Sequence, residues 1–181
     1  MCLYVKDIPE DLKPLTADKD IHVFKVLVRN EVSSKYNTKR YVYKTPFRGT
    51  IIPFNSWGKC IIEANMNGKY LEEITAFGYK IILNGRIKYI PKRKTTLISW
   101  KNGELEYDIE KAIADTCYLE IEDGIHAYTS FIMAAAKWPI IDFPCYEIHN
   151  AVIPKGAHYF IGLYDEIVAD KMIIYKKRVK K

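Results

Sequence analysis

The 181-residue chain carries no motif that declares a chemistry by itself. A glycine-rich phosphate loop, an HExxH pair and a GxSxG elbow are all absent from the sequence. His22, His126, His149 and His158 are scattered, and none has a second histidine at helical ligand spacing. Each reads as a packed or surface residue rather than a metal ligand. The four cysteines, Cys2, Cys60, Cys117 and Cys145, form no CxxC pair, so no zinc site and no other metal site is expected. What remains is an order of polar groups at the ends of elements. Arg29 closes the first clear strand. Tyr128, Thr129 and Ser130 stand where a strand runs into a helix. Asp165 and Glu166 open the final strand. An arginine fork suits a phosphate or a ribose hydroxyl. A hydroxyl or aromatic group at a strand end can orient a sugar or stack on a ring, and a carboxylate can stabilise developing positive charge. The same residues also have structural roles open to them. Ser130 can cap a helix, Arg29 can end a strand at the surface, and an acidic pair in a turn can simply be solvated.

The elements that must position these groups are mostly strands. Ile21–Val28, IHVFKVLV, is a strand, residues 30–40 a polar surface loop, and Arg40–Tyr43 a second strand broken by Pro46 and Gly49. Ile51-Ile52 and Lys59–Ala64 read as short strands. Asn67-Gly68, Asn84-Gly85, Asn102-Gly103 and Asp123-Gly124 tolerate the positive φ of tight turns and predict hairpins. The strands that flank the last three are Tyr79–Leu83 with Arg86–Ile90, Thr96–Trp100 with Glu104–Tyr107, and Tyr118–Ile121 with Ile125–Tyr128. Asp108 is placed to cap a helix reaching Ala114. Ser130 is placed to cap another over Phe131–Trp138, ended by Pro139. That second helix is apolar nearly all round and is expected to be buried. Residues 69–77 fit a helix less clearly. Cys145–Ile153 is a strand, Pro154-Lys155-Gly156 a turn, Tyr159–Ile161 a strand, and Ile167–Tyr175 the last one. The expected fold class is α+β: a β-rich, mainly antiparallel sheet with two or three short helices.

Composition sets the bounds. Hydrophobic residues make up 49% and charged residues 28%, which excludes a mainly disordered chain. The length suits one domain over 1–181, with a lead-in at 1–20 and a basic tail at 176–181. Fourteen tyrosines favour pleated, half-buried surfaces. No stretch approaches the roughly 20 apolar residues that span a bilayer, so no membrane partner is expected. With no apolar signal region after Met1, a cytoplasmic location with buried free thiols is expected. The net charge of +6 gathers at 88–94 and 176–181. Either cluster could attract nucleic acid or another anionic partner, or be solvated.

Several segments together resemble an uncharacterised group of bacterial and bacteriophage proteins: CLYV, KDIHVFKVL, TPFRG, GIHAYTS, VIPKGAHYFIG and VADKMII. Their order is also similar to the ADP-ribosyltransferase fold of the Arg–Ser–Glu type. That resemblance implies that Arg29 holds the phosphates or ribose of NAD, that Tyr128, Thr129 and Ser130 support the nicotinamide pocket, and that Glu166 is the catalytic carboxylate. Two departures stand out. The serine motif is AYTS rather than STS, and Tyr164 occupies the position two before Glu166 that the family fills with Glu or Gln. Three functions follow as expectations. The first is an accessory binding protein on that scaffold, holding a nucleotide-type ligand or a host macromolecule and interfering with host defence. The second is an active NAD-dependent transferase or NAD glycohydrolase, with NAD as cofactor. The third is a virion structural component.

Overall fold

The computed structural model describes residues 3–5, 13–33, 39–83, 86–101, 104–105, 116–138 and 145–177. Within them lie fourteen strands and one helix. In chain order the strands are β1 (Leu3–Tyr4), β2 (Leu15–Thr16), β3 (Ile21–Ser33), β4 (Lys39–Lys44), β5 (Lys59–Glu63), β6 (Met66–Leu83), β7 (Arg86–Lys101), β8 (Glu104–Leu105), β9 (Thr116–Ile121) and β10 (Ile125–Tyr128). Helix α1 (Phe131–Lys137) follows, then β11 (Tyr146–Ile153), β12 (His158–Ile161), β13 (Glu166–Ala169) and β14 (Lys171–Tyr175).

Every strand pairing is antiparallel, in two sheets. The smaller sheet runs β1-β9-β6-β7-β8, and the larger runs β2-β12-β13-β10-β3-β11-β14-β5, with β4 also on β3. The expected β-rich antiparallel character is therefore present, with one short helix among the described residues. The helix expected from Asp108 lies outside them. The segment 69–77 is strand, inside the long β6–β7 hairpin whose register shifts between Ile74 and Tyr79.

Three local expectations are corrected by tertiary pairing. Asn67-Gly68 is not a turn but part of β6. The backbone carbonyl of Asn67 accepts from the N–H groups of Glu122 and Asp123, at 2.8 and 3.0 Å. Asp123-Gly124 does not close a hairpin, because β9 and β10 belong to different sheets; it is the corner between them. Gly124 has φ of 126° there, and a Cβ would lie 2.5 Å from Val168 Cγ2, so the corner admits only glycine. The expected last strand is two, broken at Asp170. β13 pairs with β12 and β10, whereas β14 pairs with β11 and β5.

The core of the larger sheet follows the period-2 alternation of its strands. Val23, Leu27, Tyr43, Ala127, Ala151, Ile153, Ile167 and Ala169 belong to one buried cluster. Val26, Tyr128 and Ala134 form another on the opposite face, with Phe24, Met133, Trp138, Tyr146 and Ile148 against it. Cys60 is a buried free thiol, and Cys145 is free and partly buried.

Candidate functional site

The register decides which polar groups can meet. Residues directly opposite in an antiparallel pair share a face, and neighbours along a strand alternate. Phe24 pairs with Tyr128, and Tyr128 with Glu166, so these three share one face of the larger sheet. Arg29 lies five residues beyond Phe24 on β3, an odd step, and faces the other way. It forms an ion pair with Glu147 at 2.7 Å and lies 4.8 Å above the Tyr41 ring. Glu166, only 7% exposed, pairs with Lys137 Nζ of α1 at 3.0 Å. Tyr128 Oη accepts from the Trp138 indole N–H at 3.1 Å. The Thr129 N–H donates to the Asp165 carbonyl at 2.8 Å. Ser130 is the cap of α1, its hydroxyl accepting from the Met133 N–H at 3.4 Å. Tyr128, Thr129, Ser130 and Glu166 are thus brought together, and Arg29 is not.

Helix α1 departs from expectation as well. Only Ala134 is fully buried; Ile132 is 75% and Phe131 54% exposed. Seven residues make about two turns, so only one side can reach the sheet.

A different set of residues lines a cleft. β11 occupies one edge of β3 from Ile21 to Val28, so β10 and β4 must share the other edge. β10 reaches it only at Phe24, and β4 only from Val28 onwards. Between these points β10 and β4 diverge, and the edge of β3 over Lys25–Leu27 has no strand partner among the described residues. A cavity of about 410 Å³ opens there. The loop 45–50 borders it. This loop is closed by Thr45 N–H to Thr50 O (2.9 Å), by Gly49 N–H to Thr45 O (3.1 Å) and by Thr50 N–H to Thr45 Oγ1 (3.0 Å).

Aromatic groups form one wall of the cleft. Phe47 and Trp138 lie with ring centroids 5.2 Å apart, and Trp138 is bonded to Tyr128. Arg48 pairs with Asp123 at the border, and Asn67 Nδ2 donates to Asp123 Oδ2 at 2.9 Å.

Lys25 is the unusual lining residue. Its side chain belongs to the core face of β3, between Val23 and Leu27, and the residue is only 7% exposed. Its ammonium donates to the His126 backbone carbonyl. It has no carboxylate within ion-pair distance among the described residues. Burial alone pushes its pKa down to about 8. His126 also lines the cleft, and its Nε2 is buried with no hydrogen-bond partner in the structure. Burial, then the charge of Lys25, hold its pKa down at about 4, so the ring is neutral at pH 7. Tyr128 is pushed up to about 12, mainly by burial, and keeps its phenol proton.

The sequence assigns His126 only a packed or surface role and leaves Lys25 without one. The signal available was a lysine in phase with Val23 and Leu27, on the face of the strand that alternation assigns to the core.

Comparison with protein-family models, with curated proteins and with solved structures finds no match for this chain.

Proposed function

We propose that the protein is a binding protein whose cleft between β3 and β10 takes a small, planar, anionic ligand of nucleotide type. The observation that carries this reading is Lys25: a lysine buried beside a cavity, with no carboxylate within ion-pair distance among the described residues, although Glu63, Glu122 and Asp123 also line the cleft. A buried ammonium is costly without a counter-ion, and an anion entering the cavity would supply one. The wall of Phe47, Trp138 and Tyr128 suits a planar ring. The unpartnered Nε2 of His126 and the side chains of Asn65 and Asn67 can meet polar edges of such a ring. Interference with a host macromolecule through this ligand, as the phage-protein resemblance implies, belongs to the same proposal.

NAD turnover by the Arg–Ser–Glu scheme is not part of it. That scheme needs Arg29 and Glu166 around one substrate, and the two side chains belong to opposite faces of the sheet. Nucleic-acid binding through 88–94 rests on charge alone; that run lies within β7.

Calorimetric titration with nucleoside monophosphates, dinucleotides and the parent nucleosides tests the proposal. Phosphorylated ligands should bind, the nucleosides at least about tenfold more weakly, and Lys25→Met should remove the difference between them. Equal binding of nucleosides and nucleotides, or binding unaltered in Lys25→Met, would refute it.

A further inference from the structure

Lys25 can do more than attract charge. A neutral lysine amine has two N–H bonds and one lone pair. Among the described residues one hydrogen bond, to the His126 carbonyl, occupies one N–H, and the lone pair remains available to a molecule in the cavity. Most lysines are useless in this role because nearly all are protonated at neutral pH. A carboxylate partner would make matters worse by favouring the ammonium further. Lys25 lacks such a partner among the described residues, is buried on the core face of its strand, and lines a cavity large enough for a small ring.

We infer that Lys25 is an amine nucleophile that captures an aldehyde or ketone entering the cleft, by forming an imine. The inference rests on the reading of this cleft as a ligand site. The step balances without an oxidant or reductant. The nitrogen lone pair attacks the carbonyl carbon, and the carbonyl π pair moves onto oxygen. A proton passes from nitrogen to that oxygen, giving a carbinolamine. The remaining N–H proton passes to the hydroxyl, water leaves with the C–O bond pair, and the nitrogen lone pair forms the double bond to carbon. Neutral His126 also lines the cleft with a buried, unpartnered Nε2, which can hold the hydroxyl of the carbinolamine by a hydrogen bond. The lowered proton affinity of Lys25, about 8, supports the geometry by leaving a sizeable neutral fraction at pH 7.5.

The same site would then treat two ligand chemistries as competitors. An anion stabilises the ammonium and suppresses the amine, so a bound nucleotide should protect Lys25 from carbonyl compounds.

The test uses the full chain with two probes of different size, pyridoxal phosphate and glyoxylate, each trapped by cyanoborohydride and mapped by peptide mass spectrometry. Lys25 should be modified by at least one probe about tenfold or more faster than the exposed Lys155 and Lys176. Its rate should rise with a midpoint near pH 8, and a nucleoside monophosphate should slow it severalfold. Lys25→Arg keeps the cation and cannot form the imine. It should lose the fast modification and leave the slow labelling of Lys155 unchanged as a check on folding. Modification of Lys25 no faster than Lys155 with both probes overturns the inference. If nucleotides still bind in that case, the cleft remains a ligand site without covalent chemistry. If neither nucleotides nor carbonyl probes engage it, both readings fall.

Discussion

Two regions of one sheet hold buried charge in opposite ways. At Arg29 and at Glu166, on opposite faces, the charge is settled within the protein: Arg29 by Glu147 and the Tyr41 ring, Glu166 by Lys137. Around Lys25 and His126 it is not. Among the described residues, a buried ammonium has one backbone carbonyl for company, and a buried ring nitrogen has no partner. Burial of a polar group is costly unless it is paired. The first region therefore reads as structure, with its demand met. The second retains a demand that a ligand can meet, and strain or unmet polarity of this kind tends to gather at functional sites.

The largest stability effect that tests this contrast comes from the corner that shapes the cleft. Gly124→Ala would place a methyl 2.5 Å from Val168 Cγ2 at a φ of 126°. Overpacking and backbone strain together should cost about 3 kcal/mol or more. Gly49 in the bordering loop has φ of 64° but open space around it, so Gly49→Ala should cost only about 1 kcal/mol. Denaturant unfolding of both variants measures the difference; equal losses would mean that packing at the corner is unimportant.

The next effect separates the two regions directly. Lys25→Met should raise stability at pH 7 by about 2 kcal/mol. Relief of the buried charge contributes about 3, for a fall from an ordinary ~10.4 to about 8, and the orphaned His126 carbonyl takes back about 1. The sign follows from proton binding. Between about 8 and ~10.4 the unfolded chain binds the extra proton, so the stability of the native protein at this residue rises with pH through that window. Below about 8 the penalty is present in full. The gain in Lys25→Met should accordingly shrink as pH rises from 8 towards 10. A variant less stable than the native protein at pH 7 would show that Lys25 is a structural cation after all.

His126 gives a smaller, acid-side signature. Its pKa of about 4 lies below the ordinary ~6.5, so the unfolded chain takes up a proton first as pH falls. Stability at this residue is complete above pH 6.5 and is lost progressively towards pH 4. His126→Gln should flatten that part of the stability–pH curve; a parallel loss in the variant would assign it elsewhere. The settled region should respond least. Arg29→Gln and Glu166→Gln each break an ion pair with one partly exposed partner, and each should cost about 1 kcal/mol. Neither should alter nucleotide affinity. Neither side chain lines the cavity, so loss of binding in either variant would mean that the ligand reaches beyond the cleft.

Much of the scaffold was legible because its strands alternate or sit between turn residues. Ile21–Val28, Cys145–Ile153 and Tyr159–Ile161 fall on β3, β11 and β12, and Ser130 caps α1 as its residue type suggests. The misplacements have one cause. Turn propensity is local, whereas Asn67-Gly68 and Asp123-Gly124 are governed by long-range pairing across two sheets. The exposed faces of Phe131 and Ile132 likewise depend on which side of α1 meets the sheet. The grouping of Tyr128, Thr129, Ser130 and Glu166 was foreshadowed by their order along the chain. The face on which Arg29 points was not, because it depends on strand register. Lys25 was visible as a lysine on an apolar face, but the gap beside it arises only where β10 and β4 part.

The most direct test of an unsatisfied cation in the cleft is the titration of Lys25 itself, followed by NMR of ¹³Cε-lysine protein and assigned by its absence in Lys25→Arg. A midpoint near 8 is expected in the free protein, moving upward when a nucleoside monophosphate binds. A midpoint near ~10.4, or one that the nucleotide leaves unmoved, would contradict it.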